Sequence, residues 1–455
     1  MNSIWEVIDK AETGQYMEER DFDLNVVAKL CRDLVKEYGI KFDPAQIITS
    51  DDSMVDNVFE AGLRLALEAG IFCIDTKRII RFDEHDLREG TSSAPTSLII
   101  GQGKDSRILY ARGVEDERDP IICGGQAGAA IPEEWYLPMA LSFMKEPLVD
   151  MINNGGLAVV EGRKVKTNTP LEIQATRREL RMLREAADRA GRPGIHLLAG
   201  ESSVSALGDL AIASDKYMRT SDAHLVALLN ELKTDNQRIS KVVNFTEYGA
   251  HNVTLVDPII GGYAGGPEGV AVCFIASFLL GRVMYGSEYH VIHPIHFRYM
   301  STSAVECMWN LNIVGQAMSR NAPYILMGDV WTSAGAGSEM VFYEIAANTI
   351  TNVVTGSHPL GCSATNGKYP HASGLETRFM AEVALETARS GLKRENANEM
   401  VVKLASLYKD RQAKPDIGKP FPELYDMARV VPKPEWNATY LKMKREIAEM
   451  TGLDL

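Results

Sequence analysis

A chain of 455 residues, 45% apolar and 24% charged, has the balance of a folded protein rather than a disordered one. It is long enough for two or three ordinary domains or one elaborated barrel. A formal charge of -13 sets it against phosphate backbones and anionic lipid, which call for clustered Lys and Arg, so nucleic acid and membrane are excluded as partners.

The N-terminal MNSIWEVIDKAETGQ lacks a basic start followed by an apolar run, which predicts a cytoplasmic protein. Residues 1–90 read as a helical layer. Asp51 can cap a helix whose Val55, Val58, Phe59, Leu63 and Ala66 share one face and which stops at Gly70. Residues 91–119 hold SLIIGQGKDSRILYARG, two β-like runs around a Gly-rich turn, and predict a hairpin. GQGKDS has the wrong glycine spacing for a phosphate loop and reads as that hairpin's turn.

Residues 120–395 alternate short apolar runs with amphipathic stretches: PIICGG, GIHLLAG, KVVNFTEYG, VTLVDPIIGG, HVIHPIHF, PYILMGDV and HPLGCSA. That rhythm predicts parallel βα units, and without a dinucleotide fingerprint it favours a closed (β/α)8 TIM barrel over an open sheet. Function in such a barrel collects at the C-terminal ends of the strands. The longest uncharged apolar stretch, Val270 to Leu280, falls short of the roughly 20 residues that span a bilayer and predicts a buried helix. Residues 396–455 read as C-terminal helices around the linker KPDIGKPFPE, the whole forming one structural unit.

Six cysteines, Cys31, Cys73, Cys123, Cys273, Cys307 and Cys362, form no Cys-x-x-Cys pair and predict structural thiols. His290, His293 and His296 stand three residues apart. In a strand the outer two share a face and His293 takes the other, and Pro294 rules out a helix that would align them, so cavity lining is favoured over a metal site. The same alternation sets His296 beside Arg298, a pair suited to a carboxylate or phosphate or to a barrel Glu.

In GGYAGGPEG, residues 261–269, Gly261, Gly262, Gly265 and Gly266 precede a helix and would let a bulky ligand approach main-chain N–H groups, although a tight turn needs glycine too. Glu201, Glu247, Asp257 and Asp329 are expected to ring the mouth, with Tyr248, Tyr263, Tyr299 and Trp331 as a wall for a cation. Each also has a plain structural reading, Glu201 as a helix-start acid and Asp329 as a turn residue.

Taken together, GRPG at 191–194, Glu201 with SVSALG, LNELKTD at 229–235, PIIGGYAGG at 258–266, HPIHFR at 293–298 and GLETRFMAEVA at 374–384 resemble the monomethylamine methyltransferases of methanogens. The likeness extends from GIFCIDTKRI through SLYKD to GKPFPELYD. It implies an oligomeric (β/α)8 barrel that presents a methylated amine to the Co(I) corrinoid of a separate protein, with no tightly bound metal of its own. The Gly-rich mouth would then admit the corrinoid ring.

Four residues beyond GRPG that family carries pyrrolysine, whose ring imine captures methylamine; here stands Leu198, which cannot form the adduct. Glu201 matches a family active-site acid. A second family Glu falls near Leu255 and a Gln near Val330, so the resemblance implies three lost polar contacts. Monomethylamine then lacks its expected activation, whereas a quaternary ammonium already has a good leaving group. Pyrrolysine-free members of the related trimethylamine family are likewise associated with quaternary amines.

The expected substrate is therefore a quaternary or otherwise activated N-methyl compound, held by Glu201 with Glu247, Tyr248, Tyr299, Trp331, Asp329, His290, His296 and Arg298. Two other readings remain open: a non-catalytic homologue that binds a corrinoid protein or small ligand, and a metal-dependent barrel hydrolase built on His290, His293, His296 and an Asp.

Overall fold

The computed structural model describes residues 4–126, 128–153, 155–198, 205–362 and 365–455. Eight parallel strands close a barrel: β1 (Cys123–Gly125), β2 (Met151–Asn153), β3 (His196–Leu198), β4 (Ala223–Leu228), β5 (His251–Val256), β6 (Tyr289–Ile292), β7 (Ile325–Asp329) and β8 (His358–Leu360). Leu360 of β8 pairs with Cys123 of β1, which completes the ring.

The strands are followed in turn by α1 (Glu133–Met144), α2 (Pro170–Arg189), the short α3 (Ala206–Leu210), α4 (Asn236–Tyr248), α5 (Pro267–Tyr285), α6 (Val305–Asn321), α7 (Met340–Val354) and α8 (Gly374–Arg389). Strands buried on both faces carry apolar residues on both, which is why they read as unbroken apolar runs. Alternation then divides them: Leu198, Leu225, Val253, Val291 and Met327 fill the lumen, while Leu197, Val226, Ile292 and Leu326 meet the helices.

Six of the eight strands coincide with the apolar runs of the sequence. β2 and β4 do not, and KVVNFTEYG belongs to α4. Its buried Ile239, Val242 and Phe245 recur at helical spacing, and Gly249, at φ 79°, ends the helix in a left-handed turn.

Around the barrel's outside, the helix Asp52–Ala69 is capped by Asp51, whose side chain accepts from the N–H groups of Ser53 and Met54 at 3.1 Å. It packs on α5 so closely that a Cβ on Gly62 would lie 2.3 Å from the Ile275 side chain. α5 is the one described helix long and apolar enough to cross a membrane, and it is buried inside the fold. Helices Arg394–Ser406 and Pro434–Thr451 follow α8. All six cysteines are buried, and none forms a disulfide among the described residues.

The hairpin Ser97–Ile100 with Arg107–Tyr110 closes the floor, at the N-terminal ends of the strands. Its Ile100 and Leu109 join the lumen cluster, and Gln102 N–H donates to the Gly194 carbonyl at 2.8 Å. The GQGKDS turn thus braces the start of β3, where the Asp105 carboxylate accepts Gly194 N–H at 3.0 Å.

Candidate active site

Carried to the C-terminal mouth, the alternation along β5, β6 and β7 puts Asp257, His293 and Asp329 side by side. His293 N–H donates to the Val256 carbonyl at 3.1 Å, which aligns the chain beyond β6 with the end of β5. His293 Nδ1 lies 2.6 Å from Asp329 Oδ2, and both side chains are buried. Such a bond fixes the ring's orientation and makes Nδ1 the nitrogen that keeps its hydrogen. Asp257 is half-buried. Burial raises its carboxyl above the ordinary range, and the nearby His293 and Arg238 partly offset that.

Trp331 completes the row, its ring 4.4 Å from that of His293 at 81°. The indole occupies a slot between two glycines: a Cβ on Gly128 would lie 2.4 Å from it and one on Gly367 2.6 Å. Thr302 holds the strand end from behind. Its hydroxyl donates to the Asp329 carbonyl at 2.7 Å and accepts from Trp331 N–H at 2.9 Å and Asn348 Nδ2 at 2.8 Å. Further along, buried Glu344 accepts from the N–H groups of Ser333 and Ala334. Burial pushes its carboxyl up to about 7.

Below this polar row the lumen is apolar. Leu198, fully buried at the end of β3, belongs to one cluster with Leu225, Val253, Val291, Met327 and Leu360, and Leu255 packs at its edge. Val330, where the resemblance places a lost Gln, packs in the helix-side core; it is Asp329 that follows the lumen alternation. Beside Leu198, in register across β2, stands Asn153. Its buried amide has no hydrogen-bond partner among the described residues.

Other sequence candidates lie elsewhere. Glu201 is outside the described residues. Glu247 and Tyr248 end α4, where the helix has returned the chain to the barrel floor, so they cannot join the mouth; Glu247 is exposed and Tyr248 donates to Asp215 at 3.1 Å. His290 faces the helices instead of the lumen, between Tyr324 and Phe278 with ring centroids at 4.8 and 5.1 Å. Burial drops it to about 3.

His296 lies on a short parallel extension, Ile259–Ile260 with Ile295–His296, stacked on Tyr299 at 4.5 Å. Its Nδ1 accepts Arg298 N–H at 3.1 Å, but the exposed guanidinium turns over the Phe297 ring, 5.2 Å away. The expected His296–Arg298 side-chain pair is therefore not formed. Likewise His290, His293 and His296 take three different settings and do not converge. Among the described residues, no three His, Cys, Asp or Glu groups are arranged to hold a metal ion.

Gly261, Gly262, Gly265 and Gly266 form an exposed turn at the start of α5. Gly261, at φ 95°, accepts a backbone shape that side chains disfavour, and its N–H donates to the Gly265 carbonyl at 2.8 Å. Buried Glu231 braces the turn by accepting from the N–H groups of Ile259 and Ala264 at 3.2 and 3.1 Å. His196 and His251 belong to the floor. His196 sits 3.2 Å from Tyr289 Oη, and burial lowers it to about 4. Burial works against a charge on His251, but Glu288 at 2.7 Å more than offsets it and the ring's pKa rises.

Asn153 does not stand out in the sequence, because the apolar run it ends is only Met151 and Ile152, preceded by Asp150. The Asn-Asn-Gly that closes the run MIN is the one signal it leaves.

The match to known proteins decides the family. Residues 2–453 fit the model of monomethylamine methyltransferase MtmB. The chain belongs to the MtmB family. It is 32% identical to MtmB2 of Methanosarcina acetivorans over 454 residues, covering 98% of this chain and 97% of that one, and equally identical to MtmB1 of Methanosarcina barkeri over the same spans. The crystal structure of Methanosarcina barkeri MtmB superimposes with a TM-score of 0.96 at 30% identity, over 99% of this chain and 98% of that one. A hydroxylamine complex of MtmB superimposes with the same values. The fold is thus the MtmB barrel, and the chain is a methyltransferase of this family.

Proposed function

We propose that the chain moves a methyl group from a small methylated amine, quaternary or otherwise activated, to the Co(I) corrinoid of a partner protein. The observation that carries this reading is the pairing of Leu198 with an apolar lumen under an acidic rim: the MtmB barrel is kept whole, while the position that resembles the family's pyrrolysine bears no electrophile. A cation whose nitrogen leaves as a neutral amine needs no adduct. It needs apolar walls for its methyl groups and a carboxylate near its charge. Leu198, Leu225, Leu255 and Met327 supply the first, Asp257 with Asp329 the second, and Trp331 adds a ring for the ammonium.

The corrinoid supplies a nucleophilic metal as methyl acceptor, and the rim suits a flat ring brought from outside. The Gly-rich turn is open, a Cβ on Gly265 would meet nothing, and Tyr263, Phe297 and Met300 are 45, 55 and 43% exposed beside it. Docking of a cognate corrinoid protein there, self-association of the barrel and a cytoplasmic location belong to the same reading.

Glu201 is assigned a further negative charge for the substrate from its match to the family acid alone. Glu201→Gln is expected to weaken uptake of tetramethylammonium and depress its demethylation. Unchanged binding and turnover would contradict the reading.

A further inference from the structure

We propose that His293 is the proton donor that captures the amine as it leaves, with Asp329 as its positioning residue and Asp257 as the counter-charge for the methyl donor. This rests on the methyl-transfer reading above and adds the proton to it. When the methyl passes to the acceptor, the C–N bond breaks and its electron pair stays on nitrogen. The departing tertiary amine then points a lone pair at the methyl it has just lost, and that lone pair is the nucleophile of the reverse reaction. A proton on it removes the nucleophile and lets the product leave as an ammonium ion.

The mouth is built to deliver that proton. Asp329 binds Nδ1 at 2.6 Å, so the hydrogen there stays and the one on Nε2 moves. Nε2–H breaks, its pair stays on the ring, N–H forms on the amine, and the neutral imidazole is recharged from solvent. Thr302 fixes the Asp329 backbone and Trp331 N–H together, and the indole, wedged between Gly128 and Gly367, blocks rotation of the imidazole. Among the described residues, the Asp329 carboxylate from β7 lies 2.6 Å from Nδ1, and Asp257 stands near the ring beyond β5. A histidine–carboxylate pair elsewhere in a core is ordinarily structural. This one stands at the C-terminal mouth, above a lumen lined mainly by apolar side chains.

Tetramethylammonium, with free cob(I)alamin as acceptor, tests the assignment. His293→Gln is expected to lower kcat about 100-fold or more with little change in KM, to flatten the fall in turnover at high pH, and to make the enzyme far more sensitive to added trimethylamine. Imidazole in the buffer should restore part of the rate. Calorimetric titration with tetramethylammonium should show Asp257→Asn weakening binding at least tenfold while His293→Gln retains it. If His293→Gln does not fold, Asp329→Asn, which frees the ring without removing it, must show a smaller version of the same kinetic losses. A His293→Gln enzyme with wild-type kcat, pH profile and trimethylamine sensitivity overturns the proton donor alone. A wild-type enzyme that demethylates no N-methyl compound overturns the methyl-transfer reading and this inference with it.

Discussion

Leu198 and Asp329 each end a barrel strand, and they carry opposite duties. The leucine is fully buried among lumen side chains, so truncation leaves a cavity where neighbouring strands cannot collapse. Leu198→Ala is expected to cost about 2–5 kcal/mol in a denaturant titration. Asp329, in contrast, orients a ring. Asp329→Asn should leave the melting temperature within a few degrees and lower turnover about tenfold or more, a split that a purely structural role would reverse. Asp329 and Trp331 were legible in sequence because GDVW follows an apolar run, and the end of a barrel strand is where polar residues gain a function. His293 was legible as a residue but its hydrogen-bond partner was not, since that partner lies 36 positions away on the next strand.

Elements set how firmly that mouth is held. β7 approaches α7 so closely that a Cβ on Gly328 would lie 1.8 Å from Asn352 Oδ1, while Asn352 Nδ2 donates to the Gly328 carbonyl at 3.2 Å. Gly328→Ala is therefore expected to destabilise the fold by about 1–3 kcal/mol through overpacking. Adding Asn352→Ala should recover part of that loss, and a double-mutant cycle on unfolding midpoints would read the coupling. A fully additive pair would mean that the two elements do not share this contact. The same scale explains the misplacement of Glu247 and Tyr248. KVVNFTEYG carries enough β-branched and aromatic residues to pass for a strand, and only the packing of Ile239, Val242 and Phe245 on the barrel selects the helix. Once it is a helix, its end lies on the floor and both side chains leave the site.

Across the whole molecule, buried titratable groups make stability depend on pH in two directions. Burial lowers His196 to about 4 and His224, His290 and His358 to about 3. The unfolded chain therefore takes up protons first, and the stability these rings contribute above pH 6.5 is lost as the pH falls toward 3–4. Burial raises Glu344 to about 7 and Glu376 to about 8, so their contribution is complete below about pH 4.5 and is lost as the pH rises through 7 to 8. Melting temperature should peak in mildly acidic buffer and fall on both sides, and Glu376→Gln should flatten the alkaline side; a curve still rising at pH 8 would contradict this. The barrel itself was legible because parallel βα units leave a rhythm of apolar runs, yet in β2 that run shrinks to Met151 and Ile152 between Asp150 and Asn153. The most direct test of the whole account compares methyl transfer to Co(I) corrinoid, followed by absorbance, from tetramethylammonium and from monomethylamine. Turnover of the quaternary compound alone is the expected result, and turnover of monomethylamine would contradict the argument built on Leu198.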